Sequence, residues 1–401
     1  MTRALAPLRV RSFALLWAGQ TVSLVGNGVF TVALAWEALS LGGSRALSLV
    51  LVATFVPSTA LLLAGGVVSD RRSRRATLVV CDLVQAVAVG GVALLATLDV
   101  LRVWHLALAG AVAGAASGFF LPASAALLPD VVPRDLLVRA NSLNTIGKLT
   151  AGRLAGPALG GLLVASYGTA PAFAADAVSF LVSAACLSLL RVARRPVGAS
   201  ASAFEGLREG VAFCARRRWL RISLASFAVL NLGVSAPLAV LVPVYVRSHL
   251  GLGARALGLL LAVEGVGGAV AAVVAASSRT PRRLVVATHV SFAVAGASVA
   301  ALGLVSSLVL AASALAAAGF LLELGNVYWT SALQENVPPN LLGRVSSVDW
   351  LVSGSLLPVG IAAVGALAAS AGVAAVLLTG GLAAAAASLA VVAALSRGVS
   401  G

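Results

Sequence analysis

Val132-Pro133-Arg134-Asp135-Leu136-Leu137-Val138-Arg139, with Ser142 just beyond, returns 205 residues later as Val337-Pro338-Pro339-Asn340-Leu341-Leu342-Gly343-Arg344 with Ser347. Beyond the shared Val, the Pro, both Leu, the Arg and the Ser match at a single offset. A second pair sits 208 residues apart: Ser69-Asp70-Arg71-Arg72-Ser73-Arg74-Arg75 and Ser277-Ser278-Arg279-Thr280-Pro281-Arg282-Arg283. Both offsets are about half of the 401-residue chain. Self-similarity of this kind marks two copies of one structural unit.

Outward from these loops the chain is apolar. Hydrophobic residues make up 60% and charged residues 10%, where a soluble domain carries about a quarter charged. Apolar runs recur every ~30 residues, and many reach the ~20 residues that cross a bilayer as helix. Twelve spans are expected, at 13–37, 46–68, 76–97, 104–128, 143–167, 171–190, 222–246, 256–276, 284–305, 308–333, 346–369 and 373–395. Helix is the expected state throughout, because lipid offers an open backbone no partners and no alternating barrel pattern is present. The domain reading is a six-helix half at 1–195, a linker with an amphipathic helix at 196–221, and a second six-helix half at 222–401. Parallel six-span repeats imply a pseudo-twofold axis along the membrane normal and a binding cavity between the halves.

The formal charge is +15, yet nucleic acid is not the implied partner. Twenty-two of the 28 basic residues fall in loops on one side of the expected membrane, four (Arg45, Arg102, Arg247, Arg255) fall on the other, and Lys148 and Arg153 lie inside a span. That asymmetry puts both termini in the cytoplasm. The basic cluster of the linker, Arg216-Arg217-Arg218, favours anionic membrane lipids. The N-terminus imitates a signal peptide, but its apolar stretch exceeds the usual ~7–15-residue core and another span follows, so it is expected to stay as the first span. Cys81, Cys186 and Cys214 share no CxxC spacing, and His105, His249 and His289 are scattered, so no disulfide framework, metal site or cofactor is expected. Gly147-Lys148 is followed by Leu149 rather than Ser or Thr, so it is no phosphate loop. No enzyme signature is present.

Two motifs carry a family resemblance over nearly the whole chain. Gly66-Val67-Val68-Ser69-Asp70-Arg71-Arg72-Ser73-Arg74-Arg75 resembles the signature loop between helices 2 and 3 of the major facilitator superfamily, with Ser73 where the family usually has Gly. Gly152-Arg153-Leu154-Ala155-Gly156-Pro157-Ala158-Leu159-Gly160-Gly161 resembles the helix 5 motif of antiporter-type exporters. The stretches Leu15 to Ser23, Pro122 to Pro133 and Gln334 to Pro358 are similar to the branch that includes siderophore exporters and macrolide or multidrug efflux pumps. The Arg that drug:proton antiporters often carry in helix 4 is absent, since 106–128 holds no charge.

The resemblance implies a secondary transporter in a bacterial plasma membrane, most simply a monomer. It would export a small amphiphilic compound by alternating access and be coupled to protons. The other readings are an importer or uniporter, or a receptor or scaffold with this fold. It implies that spans 1, 4, 7 and 10 line the cavity. Gln20, Ser23, Asn27 and Thr31 on span 1, and Glu323, Asn326, Thr330 and Gln334 on span 10, each fall on one helical face, and a polar stripe in a span must look onto protein or water. Span 7 adds Asn231, Ser235 and Tyr245. Of the ionisable residues inside spans (Asp82, Lys148, Arg153, Asp176, Glu264, Glu323), Glu323 and Glu264 are the expected proton-coupling residues, while Asp82 and Asp176, near span ends, are expected to be structural. Asp70 facing the start of span 11 near Ser346, and Arg74 paired with Asp130, would form a conformational latch that includes Arg71; Arg72 and Arg75 would only fix topology. The glycines of span 5 would meet span 8 at Gly265, Gly267 and Gly268, and Arg153 would pair with Glu264.

Overall fold

Two prolines 205 residues apart open the same turn. In a computed structural model that describes residues 5–71, 73–190 and 203–397, Pro133 has φ −56° and ψ 146°, and Pro338 has φ −54° and ψ 140°. The valines before them, Val132 and Val337, are both extended and buried. The Pro133 carbonyl accepts from Leu136 N–H and the Pro338 carbonyl from Leu341 N–H. Proline fixes φ and cannot donate to the preceding helix, so each one ends a helix and starts the next. A second pair repeats the pattern. Gly168 and Gly372 both have φ 84°, a left-handed conformation that suits glycine, and each joins two long helices.

The described residues form helices α1 (Arg11–Arg71), α2 (Arg74–Thr97), α3 (Val103–Val131), α4 (Leu137–Gly147), α5 (Gly156–Tyr167), α6 (Thr169–Ser188), α7 (Ala203–Arg216), α8 (Arg218–Leu230), α9 (Ala236–Val244), α10 (Ala254–Ser277), α11 (Leu284–Leu302), α12 (Leu308–Asn336), α13 (Pro339–Ala371) and α14 (Val373–Arg397), with no strand among them. Among the described residues, ten segments are long and apolar enough to cross a membrane. One of them, Arg11–Leu62, has 52 residues, and the helix it belongs to is broken at Gly42 and Gly43, where Gly43 has φ 65°. Residues 137–167 are not among the ten; they carry Arg139, Lys148 and Arg153, and a π-helical stretch, Lys148–Ala155, separates α4 from α5. A second π stretch, Asn231–Ser235, separates α8 from α9, and a third, Tyr245–His249, follows α9. Such wide turns cluster at functional positions in helices.

The chain divides into two compact units, Met1–Ala199 with Leu252–Ala262, and Ser200–Gly251 with Val263–Gly401, so the division falls inside α10. In the first unit small residues set the spacing. On α3, a β-carbon at Gly114 would strike the Thr54 carbonyl, and one at Gly118 would lie 3.0 Å from the Ser58 carbonyl. Without a hydrophobic drive between helices in lipid, this close approach supplies the packing.

In the second unit α7 packs on α13. Gly210 meets the Arg344 carbonyl and the Val348 side chain, and Arg344 pairs with Glu209. Burial pushes the Cys214 thiol pKa up, and the neighbouring Asp349 carboxylate adds to the effect. Because the Glu209–Arg344 pair is about half exposed, it contributes no more than ~1 kcal/mol. Glu209→Ala should therefore raise the maleimide labelling rate of Cys214, followed peptide by peptide, by about fivefold at most. A much larger rise would make the ion pair, rather than the Gly210 contact, the main hold on α7.

Candidate functional site

Each unit presents its own polar surface. In the first, Gln20 is half-buried and donates from Nε2 to Ser124 Oγ on α3 at 2.6 Å. Ser23 is buried, whereas Asn27 and Thr31 are exposed. Asn27 Nδ2 donates to the Ser23 carbonyl at 2.9 Å and Thr31 Oγ1 to the Asn27 carbonyl at 2.8 Å. Exposed polar groups whose donors are satisfied by their own helix can face water at little cost.

The glycine motif works on two faces. Gly152, Gly156 and Gly160, four residues apart, turn to α1. A β-carbon on Gly152 would touch Leu24, one on Gly156 would lie 2.7 Å from Gly28 Cα, and one on Gly160 2.8 Å from Val29 Cα. Gly161 and Pro157 turn to α10, where a β-carbon on Gly258 would lie 2.5 Å from the Pro157 carbonyl and 2.7 Å from Gly161 Cα. The residue that meets span 5 is thus Gly258, two turns before the expected Gly265, Gly267 and Gly268. Gly267 instead packs on Ala316 and Phe320 of α12. Trp17 Nε1 donates to the Leu143 carbonyl at 3.1 Å, just before the π-helical stretch that carries Gly152 and Arg153. Arg153 and Lys148 are exposed. Arg153 belongs to the first unit and Glu264, its expected partner, to the second.

At the other end of the first unit, Arg74 Nη1 donates to Asp130 Oδ2 at 2.7 Å and to the Ala126 carbonyl at 2.9 Å, tying α2 to α3. Ser73, in the family's usual glycine position, caps α2 by accepting from Ala76 N–H. Arg75 binds the Ser188 carbonyl at the end of α6, so it does more than fix topology. The side chains of Asp70 and Arg71, and Arg72 altogether, lie outside the described residues.

In the second unit, Asn326, Thr330 and Gln334 are exposed along α12 and Glu323 is half-buried above them. Gly319, one turn before Glu323, packs against the backbone and Cγ of Glu264 on α10. The two expected coupling acids therefore stand on facing helices, about one turn apart. Asn231 Nδ2 donates to the Phe227 carbonyl at the start of the second π stretch. Tyr245 departs from its expected cavity position: it is 2% exposed and its hydroxyl donates to the Val305 carbonyl at 2.7 Å. Asp349 escaped the sequence reading because it falls at the start of a span. It accepts from Trp329 Nε1 at 2.8 Å, and Trp329 packs edge-on against Trp219 and Phe227. His289, also given no role, is fully buried, 2.9 Å from Ser223 Oγ and stacked on Phe227.

The geometry is that of a polytopic helical carrier, and comparison with known proteins agrees. Residues 2–398 match the family described as transmembrane secretion effector. The multidrug efflux pump Tap of Mycolicibacterium fortuitum is 28% identical over 379 residues, covering 91% of this chain and 90% of that one. Macrolide efflux protein A of Streptococcus pyogenes is 24% identical over 239 residues, 58% of each chain. Among solved structures, a point mutant of the nucleoside transporter NupG superposes with TM-score 0.77 at 11% identity, covering 96% of this chain and 99% of the other. A bacterial homologue of the iron transporter ferroportin, in an inward-facing state, superposes with TM-score 0.74 at 19% identity, with the same coverage. Both likenesses concern the fold. The chain belongs to the transmembrane secretion effector family of major facilitator superfamily membrane transporters, a group of carriers rather than enzymes.

Proposed function

We propose that this transporter is a proton-driven exporter of small amphiphilic compounds in a bacterial plasma membrane, working as a monomer by alternating access. Relatives named as multidrug and macrolide efflux pumps support the export direction and the substrate class. The observation that carries the coupling is the placement of Glu264 and Glu323 on facing helices above an exposed polar stripe. A carboxyl there can hold a proton when neutral or a cationic group when ionised, and an ionisable side chain inside a span is costly unless it is used or paired. Twelve crossings follow if Arg11–Leu62 is taken as two and residues 137–167 as one more beyond the ten. The halves would then be 1–195 and 222–401, joined by a linker at 196–221, with both termini on the Arg-rich cytoplasmic side.

The test is transport in proteoliposomes under an imposed pH gradient, with a panel that includes a macrolide and lipophilic dyes. The wild type should move a panel compound only with the gradient. Glu323→Gln should reduce gradient-driven accumulation to the level of empty liposomes while keeping exchange of that compound without a gradient. Gradient-driven flux unchanged in Glu323→Gln would remove Glu323 as the coupling acid. Wild-type flux indifferent to the gradient would point to a uniporter, and no flux of any compound to a receptor or scaffold.

A further inference from the structure

A second set of carboxyls lies inside the first unit, away from the exposed stripe. Thr169, Asp176, Ser179 and Ser183 fall on one face of α6, which packs against α1 and α2. Thr169 Oγ1 donates to Glu37 Oε2 at 2.5 Å. Asp176 and Ser179 face Gly26 of α1, where a β-carbon would lie 2.5 Å from Asp176 Oδ1, so only glycine leaves room for the carboxyl. Ser183 packs on Gly19 and is the polar side chain facing Asp82 of α2. Gln85, one turn beyond Asp82, is buried as well.

Asp82, Asp176 and Ser183 are each 0% exposed. Ser179 Oγ lies 3.2 Å from Asp176 Oδ1, but Asp176 Oδ2, both oxygens of Asp82 and the Ser183 hydroxyl have no hydrogen-bond partner among the described residues. No cation among those residues answers them. On α2, Arg75 is engaged by the Ser188 carbonyl at the end of α6; on α3, residues 106–128 hold no charge, α5 contributes only Tyr167 near its end, and further titratable groups along the seam are Cys81, Cys186 and Glu37. An ionised carboxylate would forfeit its hydration in exchange for one Ser179 bond at Asp176 and for none at Asp82, a large net cost. Such a place suits a neutral carboxyl rather than an ionised one.

We propose that Asp82 and Asp176 are proton-binding sites of this carrier, set along the polar seam between α6 and its neighbours α1 and α2. The proposal rests on the proton-driven reading above and adds a store that the missing helix 4 Arg and the cavity acids do not provide. In the release step a carboxyl O–H bond breaks and the proton passes to a water admitted along the seam. The carboxylate left behind needs more donors than this conformation offers, so release requires the helices to part. Reprotonation from water on the other side lets them close. Asp176 touches α1 at Gly26, next to Asn27 of the exposed stripe, so the change is felt directly behind the surface that faces the transport path. The levels of Asp176 and Ser183 differ by seven residues, ~10 Å of helix, so the seam is two separate stations and not a continuous wire that would leak protons.

The test reads the protons themselves. Infrared spectra of the purified full-length protein in liposomes should contain two buried-carboxyl C=O bands, one lost in Asp82→Asn and one in Asp176→Asn. In the wild type both bands should disappear reversibly as the pH is raised from about 5 to 9, across and beyond the usual carboxyl range. Bands that stay unchanged over that range would mean permanently protonated, structural carboxyls and would overturn the proposal, as would their absence at low pH. If an Asn variant fails to fold, the wild-type titration decides alone. Transport separates the two readings: gradient-independent wild-type flux defeats the exporter proposal, whereas gradient-driven flux with bands that do not titrate defeats only this one.

Discussion

Gly258→Leu should leave no active transporter, and Gly161→Leu should do the same from the other side of the contact. A β-carbon at Gly258 would stand 2.5 Å from the Pro157 carbonyl, and one at Gly161 would stand 2.9 Å from the Ala254 carbonyl and from Gly258 Cα. The atoms in the way are backbone, which cannot swing aside as a side chain can. Overpacking of a close-packed site typically costs about 1–3 kcal/mol and occasionally more, and a leucine set against rigid backbone belongs at or above the upper end. The effect should appear as lost monodisperse protein after solubilisation or as efflux at the background of empty cells. Gly91 provides the control, since a β-carbon there meets nothing within 4 Å. Gly91→Ala should behave as wild type in both measurements. Wild-type efflux by Gly258→Leu would show that α5 and α10 do not rely on this approach.

The same contact marks the limit of what the sequence could say. Apolar length and the recurring Val-Pro and Arg clusters were enough for the helical membrane fold and for the repeat, because both follow from local chemistry: lipid demands helices, and Pro133 and Pro338 dictate one turn. The polar stripes were legible for a similar reason, since period alone places Asn27 with Thr31 and Asn326 with Thr330. Which neighbour a face meets is a different matter. α10 carries Gly258, Gly265, Gly267 and Gly268, all small, and only the three-dimensional arrangement assigns Gly258 to α5 and Gly267 to α12. The π stretch at Lys148–Ala155 shifts the hydrogen-bond ladder without changing composition, so nothing in the sequence announced it. Asp82 and Asp176 looked like residues at span ends. They are fully buried because glycines and hydroxyls on facing helices make room for them, and that complementarity is not a property of either helix alone.

Arg74→Ala should be more damaging than Asp130→Ala, and the asymmetry follows from burial. The Asp130 side chain is 8% exposed and that of Arg74 29%. Without Arg74 the acid loses that cation in a place water reaches poorly. Breaking a fully buried pair in this way costs about 3–5 kcal/mol, and the partial exposure of Arg74 brings the expectation down to ~1–3 kcal/mol. Without Asp130, by contrast, the guanidinium keeps the Ala126 carbonyl and can turn to solvent. Arg74→Lys should recover little, because a point charge cannot reproduce bonds to both Asp130 and Ala126. The double variant Arg74→Ala/Asp130→Ala should be more stable than Arg74→Ala alone, since the buried acid is removed together with its cation. Thermal unfolding of the purified variants ranks these four, and transport separates a latch from a brace. A brace would restore flux in step with stability in the double variant. A latch would leave the double variant folded and slow, because the contact that holds α2 to α3 in one state of the cycle is gone. If Arg74→Ala were as stable and as active as wild type, the pair would be reduced to a marker of topology.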